Sequence, residues 1–360
     1  MIERERLVNT FCELVRIDSP SGEEEAVAQY LTQKLTALGL RVQRDSHGNV
    51  IASEDGENPL LLSAHMDTVE PGRGIKPRVE EDRIVSDGTT ILGGDCKAGV
   101  ASILEALQSI KDEGAMRRPV QAVFTRGEEI GLVGANYLDY GMLTAQEAVV
   151  FDGNGPVSTI TSSSPTYISF DVKVKGRAAH AGVEPEKGLS AIRIASDIIS
   201  QLPQGRLDEE TTINVGTISG GSVRNAVPED VTFSGEFRSR NTETLELTRL
   251  QVLSVLQAAR ERYQEASIDE ELEVRFRMYH IDPDGRMVSM ISNVLQDLGL
   301  NANISPSGGG TDGNVFLERG LDALVVGMAT NEMHTTREYV KLNELYDTAR
   351  FCHGLLVAGM

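Results

Sequence analysis

The stretch Leu60-Leu61-Leu62-Ser63-Ala64-His65-Met66-Asp67 decides the fold, because a short apolar run ends directly at a histidine and an aspartate. Continuous runs of this kind are typical of strands that a parallel sheet buries on both faces. Two further runs have the same form: residues 120–124 lead to Glu128-Glu129, and residues 148–151 stop at Asp152. Helical patterns separate these runs. Helices that alternate with buried strands predict an α/β domain with a mostly parallel central sheet.

The middle of the chain follows a different pattern. Residues 165–279 have the order β-α-β-β-α-β, with strands that alternate between apolar and polar residues. This order is typical of a ferredoxin-like α+β unit. The α/β pattern then returns, with a helix near 286–298 and a buried strand at 323–326. The sequence therefore predicts an outer α/β domain, formed by residues 1–164 and 280–360, into which the ferredoxin-like domain is inserted.

The composition excludes several classes of function. Among 360 residues, 54 are acidic and 34 are Lys or Arg, which gives a formal net charge of −20. Such a charge repels phosphate backbones and anionic lipids, so we expect no nucleic acid and no membrane as partner. The three cysteines are widely spaced, and the first residues lack the apolar segment of a signal peptide. We therefore expect a cytoplasmic protein.

The polar residues that follow the apolar runs predict a functional site. In open α/β sheets, ligands bind outside the carboxyl ends of the strands. His65, Asp67, Glu128-Glu129 and Asp152 would meet at that edge, and Asp95 stands just before the next helix. A single aspartate after a strand is ordinarily a turn or cap residue. The repetition at every apolar run from Leu60 onward is what favours a shared site.

Carboxylates that face one pocket must either raise their pKa values or bind cations. A histidine with carboxylates is a ligand set that suits Zn²⁺ and related divalent ions. The spacing of His65 and Asp67 fits a metal ligand and the carboxylate that orients its ring. The neighbouring Glu128 and Glu129 could divide into a ligand and a base, although no sequence rule requires that division.

Six segments also carry a resemblance. They are Ser63-Ala64-His65-Met66-Asp67-Thr68-Val69, Gly94-Asp95-Cys96-Lys97-Ala98-Gly99, Thr125-Arg126-Gly127-Glu128-Glu129-Ile130-Gly131, Phe151-Asp152-Gly153, Gly176-Arg177-Ala178-Ala179-His180-Ala181-Gly182 and Met333-His334-Thr335. In order and spacing they resemble the dinuclear zinc exopeptidases, a family that includes tripeptidase T, glutamate carboxypeptidases and aminoacylases. The resemblance covers essentially the whole chain. Asp rather than Glu at position 152 is similar to the tripeptidase T branch.

The resemblance implies two divalent metal ions, Zn²⁺ first, with Co²⁺ or Mn²⁺ as substitutes. It implies that Asp95 bridges the two ions. His65 and Asp152 would complete one site, and Glu129 and His334 the other. It also implies a cis peptide bond between Asp95 and Cys96.

For catalysis, the resemblance implies that Glu128 is the general base and that Asp67 orients His65. His180, on the inserted domain, would stabilise the negative charge that develops on the scissile carbonyl oxygen. The inserted domain would be a lid and a dimerisation domain. His180 would then act on its own chain or on the partner of a homodimer.

Four residues resemble substrate-binding positions of the family: Asn225, Arg238, Gly310 and Thr311. Arginine suits a substrate carboxylate because its guanidinium is planar and bidentate. Residues 308–314 form a Gly-rich loop that resembles the family's substrate loop. Tripeptidase T relatives often carry arginine before the Gly-Gly-Thr-Asp-Gly run of this loop, whereas Ser307-Gly308 precede the run in this sequence. The sequence therefore does not predict strict specificity for tripeptides.

The leading interpretation is a dinuclear zinc aminopeptidase that acts on short peptides through a metal-activated water. An N-acyl amino acid deacylase or a carboxypeptidase is the alternative on the same scaffold. A non-catalytic metal-binding or ligand-binding protein is the alternative from another class, and Glu128 argues against it because ligation alone does not need that residue. A di-iron oxidoreductase would need Glu-x-x-His pairs on bundle helices, which the sequence lacks.

Overall fold

The computed structural model describes residues 1–357. The helices in this range are α1 Arg4–Val15, α2 Glu25–Leu38, α3 Gly94–Glu113, α4 Val133–Asn136, α5 Ala191–Gln201, α6 Thr242–Arg262, α7 Arg286–Asp297, α8 Asp312–Glu318 and α9 Leu342–Val357. Short 3-10 turns occupy Tyr140–Met142 and Pro185–Lys187. None of the helices within these residues is long and apolar enough to cross a bilayer.

The strands divide into a large central sheet, a second sheet and shorter pairings. They are β1 Arg41–Arg44, β2 Val50–Ser53, β3 Leu60–His65, β4 Arg78–Val79, β5 Arg83–Val85, β6 Val120–Thr125, β7 Glu147–Gly153, β8 Thr159–Thr161, β9 Ser163–Ser164, β10 Thr166–Lys175, β11 Ala179–His180, β12 Gly205–Arg206, β13 Thr211–Gly220, β14 Ala226–Val227, β15 Asp230–Ser239, β16 Ser267–Phe276, β17 Tyr279–His280, β18 Asn303–Ser305, β19 Asp322–Gly327, β20 Thr330–Asn331 and β21 Tyr339–Lys341.

The chain divides into two compact units. Unit 1 contains Met1–Ser163, His280–Ser307 and the chain from Thr311 onward. Unit 2 contains Ser164–Tyr279 and also Gly308–Gly310, so part of the Gly-rich loop groups with the inserted segment.

The central sheet of unit 1 has the strand order β1-β2-β6-β3-β7-β19-β8-β18. Its middle strands β6, β3, β7 and β19 run parallel to one another. Every residue of β3, β6 and β7 is buried, which explains why each is a continuous apolar run in the sequence. The long helix α3 is buried over most of its length and packs within the core of this unit. The predicted α/β class with a mostly parallel central sheet is confirmed.

Unit 2 has an antiparallel sheet with the order β12-β13-β15-β10-β16. Strand β10 alternates along its length, with Phe170, Val172 and Val174 buried between exposed polar residues. These side chains form one core with buried apolar residues of α5 and α6. The main elements β10, α5, β13, β15, α6 and β16 follow the predicted ferredoxin-like order.

Candidate active site

The topology of unit 1 explains why distant polar residues meet. Strands β6, β3 and β7 are neighbours in the sheet and run in the same direction. Strand β3 ends at His65, β7 carries Asp152 near its end, and β6 ends just before Glu128-Glu129. Because these ends lie at one edge, the sheet delivers a histidine and several carboxylates to one place.

Asp95 occupies the centre of this group. It lies in the first turn of α3 with non-helical backbone angles, φ −78° and ψ 107°, after Gly93 with φ +73°. His65 Nε2 lies 3.0 Å from Asp95 Oδ1 and 3.6 Å from Asp152 Oδ1. All three side chains are buried. The bond between Asp95 and Cys96 is cis, which confirms the peptide geometry that the resemblance predicted.

The second oxygen of Asp95 faces a second group. His334 Nε2 lies 3.2 Å from Asp95 Oδ2 and 3.1 Å from Glu129 Oε1. Asp95 thus places one carboxylate oxygen beside His65 and the other beside His334. This is the arrangement that a carboxylate needs in order to bridge two ions.

The chemistry of these side chains fits divalent cations. Ligand atoms of His65, Asp95, Cys96 and Asp152 lie within 4.8 Å of one another, as do those of Asp95, Glu129 and His334. Burial raises the pKa of Asp152 to about 8, because nothing in the protein fully offsets its charge there. Hydrogen bonds that the protonated His334 ring donates to the carboxylates of Asp95 and Glu129 raise the pKa of His334 to about 10, so positive charge is favoured between those carboxylates.

Asp67 has a wider role than the sequence predicts. The nearest partner of His65 Nδ1 is the backbone carbonyl oxygen of Asp67 at 2.9 Å, while the carboxylate oxygen Oδ1 lies at 3.4 Å. The Asp67 carboxylate also accepts the backbone N–H groups of Glu128 at 3.0 Å and Glu129 at 3.2 Å, and the Ser21 hydroxyl at 2.6 Å. Asp67 therefore connects the His65 ring to the loop that carries Glu128 and Glu129.

Glu128 is buried beside the cluster. One carboxylate oxygen of Glu128, one of Glu129 and a ring nitrogen of His65 lie within 4.8 Å of one another. Burial, together with the charge of Asp152, raises the pKa of Glu128 well above its usual range. A raised pKa favours proton uptake, which is what a general base must do.

Sequence reasoning missed three buried groups around this cluster. Glu338 accepts backbone N–H groups next to Asp95, and the ammonium of Lys97 donates to the carbonyl of Ile17 at 2.8 Å. Asp312 accepts the hydroxyl of Thr125 at the end of β6, and burial raises its pKa to about 6. Asp312 follows Thr311 in the Gly-rich segment, so that motif was an available signal. Lys97 is two residues from Asp95 in the chain, but nothing in the sequence indicates its bond to Ile17 or marks Glu338 as a neighbour of Asp95.

Cys96 is buried, and its thiol donates a hydrogen bond to the carbonyl of Phe151. Burial raises the pKa of this thiol well above its usual range. A protonated, hydrogen-bonded thiol is a poor ligand and a poor nucleophile. We therefore assign Cys96 a packing role, although its sulfur lies among the atoms that could reach an ion.

The structure places His180 and Asn225 together in unit 2. His180 belongs to β11, which pairs with β14, and the backbone N–H of Ala181 donates to the Asn225 carbonyl at 3.0 Å. Both His180 and Asn225 are exposed. Their side chains are therefore accessible to a ligand.

The other three predicted substrate-binding residues lie near the Gly-rich loop. The Arg238 guanidinium bonds Glu236 at 2.7 Å and lies 4.4 Å above the Tyr167 ring. A Cβ at Gly310 would lie 2.2 Å from the Phe276 ring, so this position requires glycine. In unit 1, the Thr311 hydroxyl accepts the Gly313 N–H as the cap of α8. Substrate binding by these residues stays a prediction.

Comparisons with known proteins show which families the chain resembles. The sequence pattern of the peptidase dimerisation domain of family M20 matches residues 163–264, and that of peptidase family M28 matches residues 49–155. The uncharacterised protein YqjE of Bacillus subtilis (strain 168) is 36% identical over 97% of both chains.

Two solved structures are similar over nearly the full length. The tripeptidase from Staphylococcus aureus superposes with a TM-score of 0.91 at 35% identity and covers 99% of both chains. The aminopeptidase PepT from Bacillus cereus superposes with a TM-score of 0.85 at 36% identity, over 99% of this chain and 98% of that chain.

Proposed function

The chain belongs to the M20 family of metallopeptidases, in the branch of the tripeptidases and PepT-type aminopeptidases, and on that premise we propose that it releases the N-terminal residue of short peptides. The observation that carries the proposal is Asp95, whose two oxygens face His65 on one side and His334 on the other. A buried base, Glu128, stands beside them.

Five residues would hold two divalent cations, Zn²⁺ first, with Co²⁺ or Mn²⁺ as substitutes. The ligands would be His65 and Asp152 for one ion, Glu129 and His334 for the other, and Asp95 for both. When bound, such ions polarise a carbonyl oxygen and make water a stronger acid. The support for this assignment is the donor set itself, in which carboxylate oxygens and imidazole nitrogens lie within 4.8 Å of one another.

Glu128 would move the proton of the reaction. Its carboxylate would accept a proton from the attacking water and return that proton to the amine nitrogen that leaves. Asp67 fixes the backbone of the loop that carries Glu128 and Glu129. The base and one proposed ligand therefore keep a constant separation while the proton moves.

Unit 2 would supply most of the contacts to the substrate, and Thr311 of unit 1 would add one. We assign to His180 the stabilisation of negative charge on the carbonyl oxygen, acting on its own chain or on a second copy. Asn225 and Arg238 would hold the peptide backbone and carboxylate, and Gly310 with Thr311 would line the same substrate. Exposure of His180 and Asn225 supports their accessibility to a ligand.

The assembly and location that we propose are a homodimer formed through unit 2, in the cytoplasm. The match to the peptidase dimerisation domain supports the dimer. Leu247 and Leu250 of α6 are about half exposed, at 59% and 48%, which gives unit 2 apolar surface that a second copy could cover. The three unpaired cysteines agree with a reducing compartment.

The decisive experiment compares two classes of substrate with and without chelation. Di- and tripeptides with free amino groups and N-acetylated amino acids are incubated with the purified protein, before and after exhaustive treatment with EDTA. We expect release of the N-terminal residue from the free peptides, loss of that activity after chelation, and recovery with Zn²⁺, Co²⁺ or Mn²⁺. Equal rates after chelation would refute the metal-dependent reaction. Activity on the N-acetylated compounds alone would identify a deacylase instead.

A further inference from the structure

We propose that Glu338 is a positioning residue that joins the loop carrying Asp95 to the loop carrying His334, and that it thereby sets the affinity for the cation between Asp95, Glu129 and His334. This inference rests on the proposed function, because it concerns the same cation site. Glu338 is not among the proposed ligands, and its carboxylate bonds the backbone of Asp95 rather than the Asp95 side chain.

The contacts of Glu338 are unusually dense for one side chain. One carboxylate oxygen, Oε2, accepts the backbone N–H groups of Leu92 and Gly93, both at 2.8 Å. The other oxygen, Oε1, accepts the backbone N–H of Asp95 at 3.0 Å. The residue is only 1% exposed, so water does not replace these bonds. A side chain from near the end of the chain thus fixes the backbone on both sides of Gly94.

A carboxylate is the group that this backbone requires. The N–H groups at the start of a helix have no partner within the helix, and buried N–H groups without acceptors are costly. The segment from Leu92 to Asp95 cannot use a regular cap, because Gly93 is left-handed and Asp95 is not helical. A glutamine would offer a single oxygen and would turn an N–H₂ group toward one of the three donors.

The same residue closes the loop that holds His334. The backbone N–H of Glu338 donates to the carbonyl of Thr335 at 3.1 Å, and the Thr335 hydroxyl donates to the Glu332 carbonyl at 2.9 Å. Strands β20 and β21, which flank this loop, pair with each other. The loop is therefore internally braced, and the Glu338 carboxylate connects it to the backbone N–H of Asp95, beside the contact between the His334 ring and the Asp95 side chain.

This arrangement predicts an asymmetric effect on the two cations. His334 and Asp95 face each other at 3.2 Å, and each stands on a loop that Glu338 fixes. His65 stands at the end of β3 and is oriented by Asp67, so Glu338 does not hold it. Loss of Glu338 therefore disturbs two ligands of one cation and only Asp95 of the other.

The test is a calorimetric titration of the metal-free full-length protein with Zn²⁺. In Glu338→Gln we expect the affinity for one ion to fall about 10–100-fold, the range observed when a partner of a ligand is removed. The affinity for the second ion should change only a few-fold. With saturating Zn²⁺ the variant should regain kcat with an unchanged KM for a tripeptide, because no substrate contact is lost.

Glu105→Gln is the matched control. Glu105 is also a buried glutamate that accepts a backbone N–H, from Glu3 at 2.8 Å, but it lies in the middle of α3, away from the first turn that holds Asp95, and it bonds Arg6. This variant should lower the melting temperature of the metal-free protein and leave both Zn²⁺ affinities unchanged. It separates loss of stability from loss of ligand positioning.

Two results would overturn the inference. One is a folded Glu338→Gln protein with two wild-type Zn²⁺ affinities; the other is an equal loss of both affinities that follows the fall in melting temperature. If Glu338→Gln does not fold, Glu338→Asp keeps the charge but shortens the side chain, and the same asymmetric loss is expected. A wild-type protein that binds no Zn²⁺ would instead refute the proposed function.

Discussion

The proposed metal centre of unit 1 and the proposed substrate contacts of unit 2 are built in opposite ways. His65, Asp95 and Asp152 are 1%, 5% and 8% exposed and are surrounded by hydrogen bonds that exist without any substrate. His334 is the exposed member of the proposed ligand set, with 52% of its side chain accessible. His180 and Asn225 are exposed, and their strands pair over only two residues. The first region keeps fixed geometry, while the second can adapt to what it binds.

This difference has a chemical meaning. Groups that hold cations or move protons must keep their separation within a fraction of an ångström, and burial with hydrogen bonds provides that. Groups that contact peptides of varied sequence gain from accessible side chains. We therefore expect changes in unit 1 to alter metal content or kcat, and changes in unit 2 to leave the metal content intact.

The largest effect is expected from Glu128→Gln. The amide cannot accept the proton of the attacking water, so kcat for a tripeptide should fall by roughly two to four orders of magnitude. Metal content should be unchanged, because Glu128 is not a proposed ligand. Glu147→Gln is the control: this buried glutamate lies at the opposite end of β7 and pairs with Arg118. Glu147→Gln should keep its kcat, and a Glu128→Gln enzyme that stays active would remove Glu128 as the base.

His180→Ala should have the next largest effect and tests the division between the units directly. Removal of one group that stabilises a developing oxyanion lowers kcat about 10²–10³-fold. The metal content should equal that of the wild type, as measured by atomic emission. The control is His47→Ala, because His47 stacks on Tyr137 in unit 1 and has no proposed role. A loss of bound metal in His180→Ala would contradict the comparison.

Glu128→Gln and His180→Ala, when combined, also show on which chain His180 acts. If His180 acts on a second copy, a mixed dimer of Glu128→Gln and His180→Ala has one site with both residues intact. Mixing and reassociating the two inactive proteins should then restore part of the activity. If His180 acts on its own chain, both sites of the mixed dimer stay defective, and no activity returns.

The sequence predicts much of the site in unit 1, because several site residues directly follow buried strands that are recognisable as apolar runs. Residues 60–65 and 120–125 are buried strands that end at the same edge of the sheet, so the continuous apolar runs were enough to place His65 and Glu128-Glu129 there. Asp95 could be placed only as a residue before a helix, and His334 could not be placed at all, since both stand on irregular backbone with unusual torsion angles. Their assignment needed the resemblance.

Neither the apolar runs nor the resemblance predicted the contacts of Glu338. Its three partners are more than 240 residues away in the chain, and a glutamate four residues after a histidine has no periodic signature. The second role of Asp67 was hidden for a similar reason, because it accepts backbone N–H groups from another loop. Side-chain bonds to distant backbone depend on the assembled fold, which residue patterns do not encode.

Arg238→Ala should have a moderate effect that appears in KM. Glu236 and the Tyr167 ring hold the Arg238 guanidinium in one orientation, in which we expect it to bind the substrate carboxylate. Loss of a charge-assisted hydrogen bond of about 1.5 kcal/mol raises KM about 10-fold and leaves kcat nearly unchanged. A tripeptide with a C-terminal amide should not distinguish the variant from the wild type. Arg262→Ala, which breaks only a pair with Asp197 on α5, serves as the control.

The smallest effect is expected from Cys96→Ser, at the centre of the buried region. The serine hydroxyl can still donate to the Phe151 carbonyl, so the hydrogen bond of the thiol is preserved. The cost should be a stability loss of about 1 kcal/mol, within the ordinary range for a buried substitution, which thermal unfolding measures. Metal content should be unchanged, because the Cys96 thiol donates its proton to the Phe151 carbonyl rather than to a proposed ligand. If the Cys96→Ser protein loses one ion instead, the thiol is a metal ligand, and the buried ligand set of unit 1 includes a sulfur atom.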